Sequence, residues 1–111
     1  ILLNLLRNAR QALEQHPQPL IDLRGEREGQ AGSILLHVTD NGPGIAAELR
    51  AQVFMPFFST RKGGSGIGLA LSRQLARLNG GRLTVSGEPG NCRFTLRLPA
   101  DRVNRPGDAA L

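Results

Sequence analysis

Two stretches of the chain combine glycine with residues that could bind a nucleotide. The first, Asp-Asn-Gly-Pro-Gly at positions 40–44, directly follows an apolar run at 34–39 that predicts a β-strand. Alternation along a strand places Asp40 on the same face as Ile34, Leu36 and Val38. A carboxylate at the end of an apolar face is unfavourable unless a donor satisfies it. Asp40 therefore either accepts from its own turn, as in an Asx turn, or accepts from a ligand amine such as that of adenine.

The second stretch, Gly-Gly-Ser-Gly-Ile-Gly at positions 63–68, precedes a helical pattern. Glycines there leave backbone amides accessible at a helix N-terminus, where the helix dipole favours anions. No Gly-Lys-Ser/Thr follows, so this is not a P-loop, and no strand immediately precedes it, so it is not a dinucleotide fingerprint. Thr60, Arg61 and Lys62 add a hydroxyl group and positive charge. Together these features predict a phosphate-binding segment.

Two asparagines lie four positions apart in the first helical pattern, residues 1 to about 14. Residues i and i+4 lie on the same side of a helix, so Asn4 and Asn8 share a face. Asparagine is a mediocre helix former, and this pair is either a solvated polar face or two amides directed at a ligand. An amide oxygen is a suitable ligand for Mg²⁺.

The remaining pattern predicts helices on one side of a mainly antiparallel sheet, an α/β sandwich of the α+β class. Strands 82–86 and 93–98 are too close for a parallel crossover, and they form a hairpin through 87–90. The other predicted elements are a weak strand at 20–26, a hairpin loop at 25–33, a short helix at 46–53, and a helix at 65–78 that ends at Asn79-Gly80 and carries a stripe of Ile67, Leu71, Leu75 and Leu78. The rings of residues 54–58 are either core anchors or part of a loop that opens and closes.

Composition limits the functional classes. The 111 residues fit one domain, with no membrane-span pattern and no signal peptide. The net charge of +5 comes from scattered residues without interleaved aromatics, so we expect anionic small ligands and no nucleic acid. The single Cys92 excludes an internal disulfide and suits a reducing compartment.

Four segments, in order, resemble the N, first glycine, F and second glycine boxes of the ATP-binding catalytic domain of bacterial sensor histidine kinases. They are Asn-Leu-Leu-Arg-Asn-Ala-Arg-Gln-Ala at 4–12, Asp-Asn-Gly-Pro-Gly at 40–44, Phe-Met-Pro-Phe-Phe at 54–58 and Gly-Ser-Gly-Ile-Gly-Leu at 64–69. The segment 57–71 resembles the nitrogen-regulation type in particular. The resemblance covers residues 1–99, and we expect 100–111 to be a disordered tail.

The resemblance implies a Bergerat fold with a mixed, mainly antiparallel sheet that binds Mg²⁺-ATP. ATP would phosphorylate a histidine on a separate dimerisation domain, and the parent protein would pass the phosphoryl group to a response regulator in two-component signalling. It implies Asn8 as the Mg²⁺ ligand and, with Lys62, as a catalytic residue, and Asp40 as the adenine reader. The full set of implied ATP-binding residues is Asn4, Asn8, Gln11, Ala12, Asp40, Gly42, Gly44, Ile45, Phe58, Thr60, Arg61, Lys62, Gly64, Ser65, Gly66, Ile67, Gly68 and Leu69. A lid would run from about 54 to 65.

The resemblance also sets the expected location and assembly. We expect a monomeric, cytoplasmic fragment of a parent that the inner membrane could anchor. Three departures stand out: Gln11 replaces a frequent lysine, the turn at 90–93 lacks the Gly-x-Gly-Thr pattern, and the strand and first helical turns before Asn4 are absent.

Two rival functions share the fold. Hydrolytic relatives carry a glutamate four residues before the Mg²⁺ ligand, and here that residue is Asn4, which cannot act as a base. A non-catalytic nucleotide sensor is the other alternative, although the intact boxes argue against it. We interpret His16 and His37 as structural, since neither lies in a helical hairpin beside an acidic residue.

Overall fold

The first helix, α1, spans Leu2–Ala12. Its inner face contributes Leu5 and Ala9 to the core, and Leu13, just past its end, is also buried. These three residues are four positions apart, the spacing of one apolar face of a helix. The computed structural model describes residues 1–29, 32–58 and 67–99.

Strands β1 and β2 form an antiparallel hairpin. Strand β1 spans Ile21–Glu28 and β2 spans Ser33–Asp40. The predicted hairpin loop at 25–33 was therefore too long, because Gly25 pairs with Leu36 and Glu28 with Ser33. The consecutive charged residues of this segment imitate a loop in sequence, but they lie on an exposed edge strand whose backbone is paired with β2. The β1–β2 pairing therefore continues as far as Glu28 and Ser33.

Strands β3 and β4 complete the sheet as the sequence predicts. They span Arg82–Glu88 and Asn91–Leu98, and the sheet order is β1-β2-β4-β3. Every pairing among the described strands is antiparallel. Both helices pack on the face that carries Val38, Phe94 and Leu96, which confirms the α/β sandwich.

The predicted helix at 46–53 is wrong in type. The chain there forms two short 3₁₀ turns, Ala47–Leu49 and Gln52–Phe54. Neither turn is long enough to offer an apolar helical face. The buried contact comes from Val53 and Phe54, both in the second turn. Phe54 meets the ring of Phe94 edge-to-face, with centroids 6.1 Å apart. Phe54 is thus a core anchor, whereas Phe57 is 77% exposed.

Helix α2 spans Gly68–Leu78, so it begins later than the predicted Ser65. Its buried residues are Ser72 and Ala76, whereas three of the four residues of the predicted apolar stripe are exposed, Ile67 at 45%, Leu71 at 46% and Leu78 at 68%, and Leu75 is half-buried. Small side chains at i and i+4 let this helix approach β3 and α1 closely, and that approach decides which face is buried. Asn79 and Gly80, the latter at φ +76°, end the helix as predicted.

None of the helices in the described ranges is long and apolar enough to cross a membrane.

Candidate functional site

Asp40 is buried at the carboxyl end of β2, with only 3% of its surface exposed. It faces the helices, as the strand alternation predicts, and it pairs across the sheet with Ile21 and Cys92. Its Oδ1 accepts a hydrogen bond from the Gly42 N–H at 2.9 Å. This is the Asx turn that the sequence allows, and it fixes the orientation of the carboxylate.

The two glycines that follow Asp40 are required by close packing. A Cβ on Gly42 would lie 2.9 Å from Asp40 Oδ1 and 3.3 Å from the Ala12 carbonyl oxygen. Gly44 adopts φ +76°, and a Cβ there would lie 3.1 Å from the Glu88 carbonyl oxygen. The glycine turn, defined as residues 41–45, therefore lies between the end of α1 and the β3–β4 turn.

The β3–β4 turn supports the glycine turn directly. The Gly90 N–H donates to the Gly42 carbonyl at 2.7 Å. Arg50 adds a second connection, because its Nη2 donates to the Gly87 carbonyl at 2.6 Å and its Nε to the Ile45 carbonyl at 3.4 Å. Sequence reasoning missed Arg50, since its partner Gly87 is 37 positions away and no local pattern marks the pair.

Asn41 connects the same turn to the segment between α1 and β1. Its side-chain Oδ1 accepts from the Leu20 N–H at 2.9 Å, and its Nδ2 donates to the Gln18 carbonyl at 2.9 Å. The sequence marks Asn41 only as half of an Asn-Gly turn signal.

The other end of α1 meets the start of α2. Asn4 Nδ2 donates to Ser72 Oγ at 3.3 Å, and Ser72 is fully buried. A Cβ on Gly68 would lie 3.6 Å from Asn4 Oδ1, an ordinary contact distance. The structure thus places Asn4 close to Gly68, two of the predicted site residues, and adds Ser72, whose only sequence signal is its spacing of four from Gly68.

Helix α1 therefore connects two ends of one candidate site. Asn4 contacts the start of α2, Ala12 contacts Gly42, and half-buried Asn8 lies between them. At 1.5 Å per residue, Asn4 and Ala12 are about 12 Å apart along the helix axis. The two ends of this candidate site therefore lie along one face of α1.

The other predicted site residues divide into described and undescribed groups. Ile45, Phe58 and Leu69 are partly buried against the core, whereas Gln11 and Ile67 are exposed. Six residues, and most of the predicted lid, lie outside the described residues: Thr60, Arg61, Lys62, Gly64, Ser65 and Gly66.

Both histidines have partners away from this site. His16 Nδ1 accepts from the Gln18 N–H at 3.0 Å. His37 lies on the open face of the sheet, where its Nε2 is 2.9 Å from Glu26 Oε1 and its Nδ1 is 2.9 Å from Thr95 Oγ1. Glu26 accepts, so Nε2 carries the proton in the neutral ring and Nδ1 accepts from Thr95. These contacts support structural roles for both rings.

Metal-ligating side chains do not cluster in the described part of the chain, where no group of three His, Cys, Asp or Glu residues could hold an ion. A surface depression lined by Arg10, Leu13, Glu14, Pro19 and Ile21 contains none of the predicted site residues.

Comparison with known proteins identifies the kind of domain. The sequence profile described as "Histidine kinase-, DNA gyrase B-, and HSP90-like ATPase" matches residues 1–102. The chain is 40% identical over 98 residues to the C4-dicarboxylate transport sensor protein DctB of Rhizobium meliloti, covering 88% of this chain and 16% of DctB. It is 36% identical over 106 residues to the sensory histidine kinase/phosphatase NtrB of Vibrio alginolyticus, covering 88% of this chain and 30% of NtrB.

A solved structure shows the same fold. The mycobacterial sensor histidine kinase MprB superposes with a TM-score of 0.77 at 32% identity, covering 87% of this chain and 68% of that one. The chain spans less than a third of the two sensor proteins, DctB and NtrB.

Proposed function

The chain belongs to the family of histidine kinase-, DNA gyrase B- and HSP90-like ATPases, and we propose that it binds Mg²⁺-ATP and presents the γ-phosphate to a histidine on a separate dimerisation domain. The observation that carries the proposal is the arrangement along α1. Buried Asp40 lies by its C-terminal end and the start of α2 lies by its N-terminal end. The parent protein would then pass the phosphoryl group to a response regulator.

Asp40 would read the adenine base. Its carboxylate is held by the Gly42 amide, so an exocyclic amine can donate to a fixed acceptor. Guanine presents a carbonyl oxygen at the corresponding position, which would face the carboxylate without a proton between them. Gly42, Gly44 and Ile45 would line the base, and Ala12 lies next to Gly42 at the same end.

The residues present fit a Mg²⁺ ion. Asn8 offers a half-buried amide oxygen on the helix face that carries Asn4. One protein ligand is sufficient, because Mg²⁺ usually keeps several waters and binds substrate phosphates as well. Asn8 would hold the ion, which would neutralise phosphate charge. Arg61 and Lys62, with Thr60 and the glycines at 64, 66 and 68, are proposed to bind the phosphates by motif order.

Phosphoryl transfer is favoured over hydrolysis by the state of Asn4. Its Nδ2 donates to the buried hydroxyl of Ser72, and an amide has no basic group that could deprotonate water. Transfer to an imidazole requires alignment and charge neutralisation instead: the imidazole nitrogen bonds to the γ-phosphorus as the bond to the ADP oxygen breaks. A non-catalytic nucleotide sensor is the remaining alternative.

Isothermal calorimetry with ATP and GTP in the presence of Mg²⁺ tests the base assignment. We expect clear preference for ATP, and Asp40→Asn should weaken ATP binding at least about tenfold, since a buried hydrogen bond to a charged group is worth roughly 1.5–3 kcal/mol. The same variant should bind GTP no more weakly than the wild type. Equal affinity of the wild-type chain for both nucleotides would contradict the assignment.

A further inference from the structure

We propose that Asn41 is a positioning residue for base recognition, an inference that rests on the proposed role of Asp40. Asn41 makes three hydrogen bonds to the segment between α1 and β1. Besides its two side-chain bonds to Leu20 and Gln18, its backbone N–H donates to the Leu20 carbonyl at 3.3 Å. The residue adjacent to Asp40 is therefore fixed to a different part of the chain on both its backbone and its side chain.

The segment that Asn41 holds has few other connections. Pro17 and Pro19 carry no N–H, which leaves Gln18 and Leu20 as the donors between His16 and β1. The Gln18 N–H donates to the ring of His16, within the same segment, and the Leu20 N–H donates to Asn41. Asn41 thus makes the bonds from this segment to the glycine turn, and the segment leads directly from the end of α1.

This connection sets the position of Asp40 relative to α1. The Ala12 carbonyl oxygen lies 3.3 Å from a Cβ built on Gly42, so the end of α1 forms one wall beside the turn. Asn41, at the end of β2, connects to the segment that follows α1 through its bonds to Gln18 and Leu20. Because hydrogen bonds weaken steeply with distance and misalignment, a small shift of the turn would reduce recognition of the amine more than overall binding. Asn41 should therefore affect base preference.

A purely structural role for Asn41 makes a different prediction. If Asn41 merely extends the β1–β2 ladder by one residue, removing its side chain would lower the free energy of unfolding and leave the preference for ATP over GTP unchanged. Asn79 provides a matched control, because its Nδ2 donates to the Leu75 carbonyl at 2.8 Å at the far end of α2. Asn79→Ala removes the same kind of bond away from the site.

The experiment measures the ratio of GTP to ATP dissociation constants for the 111-residue chain with Mg²⁺, together with urea unfolding. Asn41→Ala should reduce the ratio about three- to tenfold, because it removes two hydrogen bonds of modest net value. The backbone of Asn41 is not in the left-handed region, so alanine introduces no strain there. Asn41→Asp keeps the acceptor for Leu20 but places a carboxylate oxygen against the Gln18 carbonyl in place of the donor, and we expect a ratio below the wild-type value. Asn79→Ala should keep the wild-type ratio.

The outcomes separate this inference from the proposed function. If Asp40→Asn lowers the ratio while Asn41→Ala and Asn41→Asp both retain the wild-type value, Asn41 is only structural and the inference fails alone. If Asp40→Asn leaves the ratio unchanged, the base assignment is wrong and the inference falls with it. Should Asn41→Ala be too unstable to measure, Asn41→Asp decides.

Discussion

At the scale of single residues, Asn4 shows how one amide can separate two kinds of chemistry. It occupies the position where hydrolytic members of this fold place a general base, and here it donates to Ser72 on the other helix. Ser72 has no exposed surface, so its hydroxyl depends on partners within the protein. The contact gives Asn4 a structural task at the place where a hydrolase would activate water.

The Asn4–Ser72 contact predicts coupled stabilities. Asn4→Ala should lower the free energy of unfolding by about 1–3 kcal/mol, because it removes a partner from a buried hydroxyl. Ser72→Ala should cost about 1 kcal/mol or less, since the half-buried Asn4 amide can reach water. The double variant should lose about 1 kcal/mol less stability than the sum of the two single-variant losses, as measured by urea unfolding. Strictly additive losses would show that the two side chains do not interact.

Asp40 and Asn41 show what a single sequence can predict at this scale. The orientation of Asp40 followed from strand alternation, because the apolar residues before it fix which face is buried. The bonds of Asn41 to Gln18 and Leu20 and of Arg50 to Gly87 could not be predicted, since these partners are 21 to 37 positions away and are backbone carbonyls or amides, which every residue has.

At the scale of elements, the β3–β4 turn contacts the glycine turn although its sequence departs from the family pattern. It lacks the Gly-x-Gly-Thr pattern, yet it supports the glycine turn through Gly90 and through Arg50. The two hydrogen bonds of Arg50, to the Ile45 and Gly87 carbonyls, join the end of the glycine turn to the β3–β4 hairpin. An arginine suits this position because its fixed fork can donate to two carbonyl groups.

Arg50→Met keeps much of the alkyl chain and removes both donors. We expect it to lower the free energy of unfolding by about 1–2 kcal/mol, less than a fully buried charged hydrogen bond would give, and to weaken ATP binding as the turn loosens. Arg7→Met, at an exposed position in the middle of α1, should change stability by no more than about 0.5 kcal/mol. Urea unfolding and calorimetry measure the two effects, and equal behaviour of the two variants would contradict the bracing role of Arg50.

Elements were predicted well where local pattern and tertiary packing agree. Strands β3 and β4 have one apolar face each, and both were located. Strand β1 was cut short because its charged residues resemble a loop, although pairing with β2 satisfies their backbone groups. The face of α2 was misassigned because hydrophobicity favours the leucines, whereas close approach to the sheet requires Ser72 and Ala76.

At the scale of the whole molecule, the site exists because one helix contacts elements that are far apart in sequence. Through α1, the start of α2 and the end of β2 are connected at the proposed ligand space, and the sheet behind them carries Phe94 and Leu96 as its core. The two histidines lie away from this space, so the chain supplies no acceptor of its own among the described contacts. The proposed role therefore requires an acceptor on another domain.

The most direct test mixes the chain with radiolabelled Mg²⁺-ATP and a dimerisation domain that carries an acceptor histidine. We expect acid-labile, base-stable labelling of that domain with very slow release of free phosphate. Asn8→Ala should abolish the labelling by removing the proposed Mg²⁺ ligand, whereas His16→Ala and His37→Ala should leave it intact. Steady ATP hydrolysis by the chain, with no transfer to any histidine domain, would contradict the central claim and place the protein among the hydrolytic members of the fold.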